Sequence, residues 1–200
     1  MKERPILFNA PMVRALLAGT KVQMRRIFKP DRMTWDANGR YTTYAMRGGE
    51  LSTTGSGPFK PSSWLHYCPY GQPGGDRLYV RETWAAPHAY DHLPPRLIPQ
   101  DARIHYAATE DRGGLLWRPS IHMPRWASRI TLEVTGVRVE RLQSCREVDA
   151  IAEGAPWAAC GAPQGGSHKA GFAQLWEQIN GDGSWEANPW LWVIEFRRLP

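Results

Sequence analysis

Alternating apolar and polar residues predict the strands around which the chain folds. The longest alternation runs from Ser128 to Leu142, where Gly136 interrupts the pattern and favours a bulge. A second alternation runs from Arg77 to Thr83, and the apolar run from Trp190 to Arg198 predicts a buried strand. Shorter strands are predicted at Ile6–Phe8, Thr20–Ile27, Tyr41–Ala45 and Arg103–Ala107.

Glu82 lies on the same face of its predicted strand as Leu78 and Val80, because side chains alternate between the two faces of a strand. That face is expected to point toward the core, where an isolated carboxylate is costly. We therefore expect Glu82 to be paired or to line a cleft, unless it lies at the strand end and contacts solvent.

Helical spacing of apolar residues predicts three helices. The first extends from Pro11 to Ala18 and stops at Gly19. The second begins with a capping box formed by Ser144 and Glu147 and ends at Gly154. The residues expected to face the core are Val148, Ile151 and Ala152 in the second helix, and Phe172, Leu175, Trp176 and Ile179 in the third.

The order of these elements predicts an α+β fold, with mostly antiparallel strands and helices grouped at one side. A length of 200 residues suits a single domain, 1–200. Two irregular insertions are predicted at about 30–74 and 86–125, because both stretches are rich in Gly and Pro turn signals.

The composition is that of an ordinary globular protein with an excess of positive charge. Hydrophobic residues make up 42% of the chain, charged residues make up 22%, and the net charge is +6. This charge favours a polyanionic partner such as nucleic acid. The sequence shows no signal peptide and no apolar run of bilayer length, so we expect a cytoplasmic protein that does not bind membranes. We also expect the protein to be a monomer.

The cysteines and histidines favour neither a disulfide framework nor a metal site. Cys68, Cys145 and Cys160 are an odd number without CxxC spacing, which fits reduced thiols. His66 with Cys68, and His88 with His92, have spacings that zinc can use. Pro94 and Pro95 follow the second pair and disfavour the helix that would place both histidines on one face. We therefore expect no metal and no cofactor.

A basic segment, from Lys21 to Lys29, places four cations within nine residues. It is either a solvated basic strand or one wall of an anion-binding cleft. Tryptophans beside arginines offer the stacking surfaces that single-stranded nucleic acid uses, although tryptophans in regular apolar patterns fit core packing better. Trp64, Trp117 and Trp157 fall in predicted loops, and Trp176, Trp190 and Trp192 in apolar patterns. The residues expected to bind nucleic acid are Lys21, Arg25, Arg26, Arg81, Trp84, Trp117, Arg118 and Trp126.

Four stretches of the chain stand in an order that carries a family resemblance. They are RPILFNAPMVRALLAGTKVQMRRIFKP with its AG-x-K turn and R-R strand, GDRLYVRETW, Ser144–Gly154, and WLWVIEFRRL. Together they resemble the ASCH domains, a branch of the PUA-like superfamily, and in particular the phage and prophage members. The resemblance implies a small PUA-like β-barrel with helices packed over its openings, in a bacterial host cell if the protein is of phage origin.

The resemblance also implies an active site, because ASCH enzymes that remove acyl groups from modified cytidine use Lys, Thr and Glu. Lys21 and Glu153 match two of these positions, and Met24 occupies the Thr position. A thioether cannot replace an activated hydroxyl as nucleophile, and the spacing of Thr20 and Thr83 does not support either as a substitute. Glu153 ends a predicted helix, where the dipole favours a neighbouring cation, and Lys21 is the cation we expect.

Three functions follow as alternatives. The favoured one is binding of nucleic acid, above all RNA, or of a modified nucleoside. The second is hydrolysis, by a nucleoside amidohydrolase acting on N4-acylated cytidine or by a ribonuclease, with Lys21 as base or electrostatic group, Glu153 as proton carrier and Glu82 nearby. The third is a phage accessory protein that binds another protein through its insertions. Met24 in the Thr position favours binding over hydrolysis.

Overall fold

A mixed α+β fold with a five-stranded sheet and few helices is present in a computed structural model, which describes residues 1–28, 32–35, 41–44, 52–55, 68–111, 113–159 and 166–200. The helices are α1 (Ala10–Leu17), α2 (Glu147–Ala152) and α3 (His168–Asn180). The strands are β1 (Glu3–Leu7), β2 (Gln23–Ile27), β3 (Arg32–Trp35), β4 (Tyr41–Tyr44), β5 (Ser52–Gly55), β6 (Arg77–Arg81), β7 (Trp84–Ala85), β8 (His105–Tyr106), β9 (Thr131–Arg141), β10 (Ala158–Ala159), β11 (Gly166–Ser167) and β12 (Trp190–Arg198).

The central sheet has the strand order β1-β6-β9-β12-β2, in which β1 and β6 are parallel and the other pairs are antiparallel. The register between β9 and β12 shifts where Glu195 pairs with Gly136 and Phe196 pairs with Val134. Thr135 is the extra residue, so the bulge predicted at Gly136 is confirmed.

The sheet is strongly curved. In a flat sheet, four strand spacings of ~4.8 Å would separate β1 from β2 by about 19 Å. The side chain of Arg26 in β2 nevertheless donates from Nη2 to the carbonyl oxygen of Leu7 in β1, at 2.8 Å. The described residues contain no backbone pairing between these two edge strands, so the sheet is curved but no closed barrel is seen.

The concave side of the sheet holds the main core. Apolar side chains from all five strands are buried there, and α1 covers them with Val13 and Leu16. The strands contribute Ile6, Met24, Leu78, Val80, Leu132, Val134, Trp192, Ile194 and Phe196 to this cluster. The alternation in the sequence therefore identified the inward face correctly in β6, with Leu78 and Val80, and in the first half of β9, with Leu132 and Val134.

Helix α1 forms as the sequence predicts. The Asn9 side chain accepts a hydrogen bond from the Met12 amide at 3.0 Å, and Pro11 occupies the first turn. Gly19 follows the helix with a φ of +74°, a conformation that costs glycine little.

Helix α2 differs from its prediction in both its start and its buried face. It begins at Glu147, and Asp149 rather than Glu147 accepts the cap amide, that of Arg146, at 3.1 Å. Val148 and Ile151 are exposed, whereas Asp149 and Ala150 are buried. The predicted apolar face is wrong because arginines of the neighbouring sheet draw the Asp149 carboxylate inward.

Glu147 caps a different helix from the one predicted. Its carboxylate accepts hydrogen bonds from the backbone amides of His168 and Lys169 at the start of α3, at 2.7 and 3.0 Å. Two otherwise unsatisfied helix-terminal N–H groups are thereby paired, and α2 is fixed against α3.

The two predicted insertions differ in how far they are described. The described residues of the second insertion, 86–125, pack together with Trp84 around a separate core. Trp84, Ile98 and Met123 are buried in this core. In the first, β3, β4 and β5 form a three-stranded antiparallel sheet, which includes the strand predicted at Tyr41–Ala45. Trp64, His66 and Cys160 lie outside the described residues.

Cys68 and Cys145 are buried free thiols, and burial raises the pKa of each to about 11. These two positions therefore agree with the expected reduced state. No helix within the described ranges is both long enough and apolar enough to span a bilayer.

Candidate ligand-binding cleft

A cleft of about 220 Å³ lies between α1, β2, the C-terminal end of α2, and α3. Its walls are mainly apolar, and a smaller set of polar side chains converges on it. The lining residues are Phe8, Asn9, Pro11, Met12, Lys21, Met24, Arg25, Arg26, Ile27, Glu153, Gly154, Pro156, Phe172, Leu175, Trp176, Ile179 and Asn180.

Lys21 occupies the point where the C-terminal ends of α1 and α2 meet. Its backbone amide donates to the carbonyl oxygen of Ala15 at 3.1 Å, and the next amide, that of Val22, donates to Ala152 O at 2.9 Å. Gly154 makes this approach possible, because a Cβ built there would lie 2.9 Å from Ala15 Cβ and 3.4 Å from Lys21 Cβ. Its φ of +73° also favours glycine.

The structure brings the Lys21 ammonium and the Glu153 carboxylate into contact. Lys21 Nζ donates to Glu153 Oε2 at 2.8 Å and to the Glu153 carbonyl oxygen at 2.9 Å. Only 1% of the Lys21 side chain and 6% of the Glu153 side chain are exposed. The ammonium thus compensates both a buried carboxylate and the partial negative charge of a helix C-terminus.

Arg25 is the second cation on the same carboxylate. Its Nη1 donates to Glu153 Oε1 at 3.0 Å and its Nη2 donates to Glu140 Oε1 at 2.6 Å, and the side chain is fully buried. Burial alone lowers the pKa of a guanidinium, but the Glu153 and Glu140 charges outweigh that effect and raise the pKa of Arg25. Each Glu153 oxygen is therefore occupied by one cation.

The ion pairs continue away from the cleft as a network that is neutral overall. Arg138 donates to Glu140 at 3.1 Å, to Asp149 at 3.1 Å and to Glu195. Arg146 donates to the other oxygen of Asp149 at 3.0 Å. The four cations of this network are Lys21, Arg25, Arg138 and Arg146, and the four carboxylates are Glu140, Asp149, Glu153 and Glu195.

Lys21, Arg25 and Arg26, the cations of the basic segment that the structure describes, line one cleft, but most of their charge is already matched. Lys21 and Arg25 are paired with carboxylates, which weakens the interpretation of this wall as an anion-binding surface. Arg26 also lines the cleft, and within the described ranges it has no ion pair and donates only to Leu7 O. The pairing of Lys21 with Glu153 agrees with the expectation from the sequence, but the sequence does not indicate that Arg25 pairs with Glu153 and Glu140, which lie more than 100 residues away along the chain.

Glu82 is buried and paired, as one of its two predicted alternatives requires. It receives two hydrogen bonds from Arg129, at 2.9 and 3.0 Å, and is 2% exposed. Glu82 does not belong to the described residues that line the cleft. The structure therefore does not place Glu82 in the cleft with Lys21 and Glu153, where we expected it.

Several residues expected to bind nucleic acid instead hold the second insertion together. Trp84 is fully buried and packs edge-on against Trp126 at 6.5 Å. Arg118 lies over the Trp84 ring at 5.6 Å and donates to the carbonyl oxygens of Leu93, Tyr90 and Asp91. This cation–π contact joins residues that are distant in sequence, and such a contact stabilises a protein core as readily as it binds a base.

Arg81, at the end of β6, and Trp117, in the second insertion, are both partly exposed. Arg81 stacks on the Tyr79 ring at 5.4 Å and donates to Ile121 O at 3.1 Å. Trp117 is half-buried in a shallow groove of about 360 Å³, which is separate from the cleft. The groove is lined by Pro95, Leu116, Trp117, Arg118, Pro119 and His122.

Met24, which replaces the expected threonine, is buried and lines the cleft. Thr20 is exposed and donates its hydroxyl to Ala15 O at 3.1 Å, and neither Thr20 nor Thr83 lines the cleft. The described lining residues include no hydroxyl or thiol group, so they provide no counterpart of the expected threonine nucleophile.

Helix α3 supplies the cleft wall that the sequence did not reveal. Phe172 and Trp176 are buried as predicted, whereas Ile179 is 52% exposed, and all three line the cleft together with Leu175. The sequence does contain a signal for this wall, because the apolar stripe on α3 is wider than the contact with α2 alone requires.

The described part of the chain contains no group of three or more His, Cys, Asp or Glu side chains that could hold a metal ion. In comparisons with protein-family models, curated proteins and solved structures, no match to the chain was found. The resemblance to ASCH domains therefore rests on the sequence motifs alone.

Proposed function

We propose that the protein is an ASCH-type, PUA-like protein that binds a modified nucleoside in the cleft between β2 and α3. The observation that carries the proposal is a mainly apolar cleft onto which Lys21, Arg25, Arg26 and Glu153 converge. Apolar walls with a few converging polar groups are typical of small-molecule sites.

The size of the cleft favours one nucleoside over a polymer. Its volume of about 220 Å³ is below the ~300–1,000 Å³ of pockets for drug-sized ligands. An RNA chain would have to place a single unstacked base there, with Arg26 as the cation free to contact a phosphate. The curved sheet, whose edges Arg26 bridges, supports a PUA-like barrel that is open between β1 and β2.

Calorimetric titration of the purified protein with N4-acetylcytidine, cytidine and a short single-stranded RNA tests this proposal. We expect saturable binding of one nucleoside per chain, with little dependence on salt because Lys21 and Arg25 are already paired. Binding of the RNA alone, with a steep dependence on salt, would contradict the nucleoside proposal and favour an RNA-binding surface.

Hydrolysis is a second candidate, supported by the contact between an ammonium and a carboxylate in a buried cleft. Water would attack the acyl carbonyl carbon while Glu153 accepts its proton and delivers it to the leaving amine, which yields a carboxylic acid and the free base. Lys21 would stabilise the negative charge on the carbonyl oxygen. We expect weak activity or none, because Met24 stands where the family has its threonine.

Single-turnover assays on N4-acetylcytidine with Lys21→Ala and Glu153→Gln test the second candidate. Both variants should lose any activity that the parent protein has while remaining folded by circular dichroism. Full activity in both would exclude the Lys21–Glu153 mechanism and would leave the binding proposal unaffected.

A further inference from the structure

Two buried N–H groups on residues that line the cleft have no acceptor among the described residues. They are Arg25 Nε and Trp176 Nε1. A buried donor without a partner is costly, because it has given up its hydrogen bonds to water and gained none in return. Six other buried polar atoms also lack a partner in the described ranges, but they belong to residues that do not line the cleft.

Both side chains are held in place by their other contacts. The other two nitrogens of the Arg25 guanidinium are held by Glu153 and Glu140. The Trp176 ring is 6% exposed and packs against Phe172 at 6.0 Å. The Arg25 guanidinium also contacts Phe172, with its central carbon 5.7 Å from the ring centre, so one aromatic ring fixes both donors.

The charges of the site indicate what kind of acceptor fits. Arg25 and Lys21 are matched by carboxylates, so a second anion near them would face Glu153 and Glu140 as well. A neutral acceptor avoids that repulsion and still satisfies the N–H groups. A carbonyl oxygen or a ring nitrogen on a flat ring meets this requirement between the apolar walls of Met24, Phe172 and Leu175.

We infer that Arg25 Nε–H and Trp176 Nε1–H are the specificity-determining donors of the cleft, and that its ligand is an uncharged planar heterocycle bearing carbonyl acceptors. The inference rests on the proposed function and narrows it to the chemistry of the base. Leu175 and Ile179, which are partly exposed on the same helix as Trp176, also line the cleft.

Nitrogen-15 NMR of the tryptophan indole groups, combined with calorimetry, tests the inference with two probes. Cytidine carries a sugar and a base, and 1-methyl-2-pyridone is a flat carbonyl-bearing ring without a sugar. Trp176→Phe keeps the aromatic packing and removes the donor. Trp185→Phe is the matched control, because Trp185 also packs against Phe172, at 6.2 Å, but does not line the cleft.

We expect both probes to shift the Trp176 indole resonance downfield and to leave that of Trp185 in place. Trp176→Phe should weaken binding about fivefold, the effect of losing one hydrogen bond, and Trp185→Phe should bind normally.

The possible failures are distinguishable. If the pyridone shifts the Trp176 resonance and cytidine does not, the donor assignment stands and the nucleoside proposal fails. If cytidine binds but Trp176→Phe binds it equally well, the donor assignment is overturned and the nucleoside proposal stands. If neither probe moves the Trp176 resonance, the donor assignment is overturned regardless of what else binds.

Discussion

At the scale of single residues, the site depends on the Glu153 carboxylate. One side chain holds Lys21 and Arg25 through separate oxygens, and all three groups are buried. Removing one partner of a buried pair leaves a charge without compensation, which costs far more than loss of an exposed pair.

Glu153→Gln should therefore lower the free energy of unfolding by about 3–5 kcal/mol, measured by urea denaturation. The control is Glu133→Gln, which breaks the pair with Arg197, a side chain that is 68% exposed. We expect the control to cost ~1 kcal/mol or less. Equal losses in the two variants would contradict the view that Glu153 compensates buried cations.

Asp149 gives the network a dependence on pH. Burial tends to raise the pKa of this carboxyl, but hydrogen bonds from Arg146 and the charge of Arg25 outweigh burial and lower it. A carboxyl whose pKa is lower in the folded state contributes stability above its unfolded value, 3.8, and loses that contribution as the pH falls through its folded value.

The free energy of unfolding should accordingly fall as the pH drops below about 4, and Asp149→Asn should flatten that decline. Urea denaturation at pH 6, 5, 4 and 3 measures the slope. Asp101→Asn, at an exposed position, is the control and should keep the parent slope. An unchanged slope in Asp149→Asn would show that other carboxyls cause the acid sensitivity.

At the scale of secondary structure, the position of Lys21 depends on how closely α1 and α2 approach. Gly154 has a positive φ and sits against Ala15, whereas Gly19 has almost the same φ, +74°, with no atom within 4 Å of the position where a Cβ would lie. The two glycines therefore separate the cost of backbone strain from the cost of crowding.

Gly19→Ala should cost about 1–2 kcal/mol through the left-handed backbone alone. Gly154→Ala should cost more, because its Cβ would also lie 2.9 Å from that of Ala15 and push the two helices apart. Thermal unfolding of the two variants gives the comparison. If they are equally stable, the helices are not in tight contact at Gly154.

The strands and helices also show which parts of the fold can be predicted from the sequence alone. Alternation predicts β9 closely, because one face of its first half is buried and polar residues would be costly there. The apolar run predicts β12 as a buried strand, and residues on both of its faces are buried. The same logic fails for α2, because its buried face is chosen by ion pairs with a sheet that is distant in sequence. The prediction that Trp84 and Arg118 bind nucleic acid fails for a similar reason, since composition cannot distinguish internal from external partners.

At the scale of the whole molecule, a net charge of +6 suggests a polyanionic partner, but pairing removes much of that charge from the cleft. Arg26 is the lining cation that has no ion pair within the described ranges. Any contact between the cleft and a phosphate should therefore depend on Arg26.

Arg26→Ala should weaken RNA binding and reduce the slope of log affinity against log salt by about 1, because one fewer phosphate is neutralised. Binding measured between about 50 and 300 mM salt tests this expectation, because a slope smaller by 1 makes the loss of affinity over that range about sixfold smaller in the variant than in the parent protein. Arg198→Ala, an exposed cation outside the cleft, is the control. An unchanged slope for Arg26→Ala would place any RNA contact elsewhere on the molecule.

Whether the cleft binds a modified nucleoside is tested most directly by a crystal structure of the protein grown with saturating N4-acetylcytidine. The nucleoside is predicted to lie between β2 and α3, against Phe172, with its base within hydrogen-bonding distance of Trp176 and its acyl group beside Lys21 and Glu153. A nucleoside bound instead in the groove at Trp117, or a saturated crystal with no nucleoside in the cleft, would contradict the account.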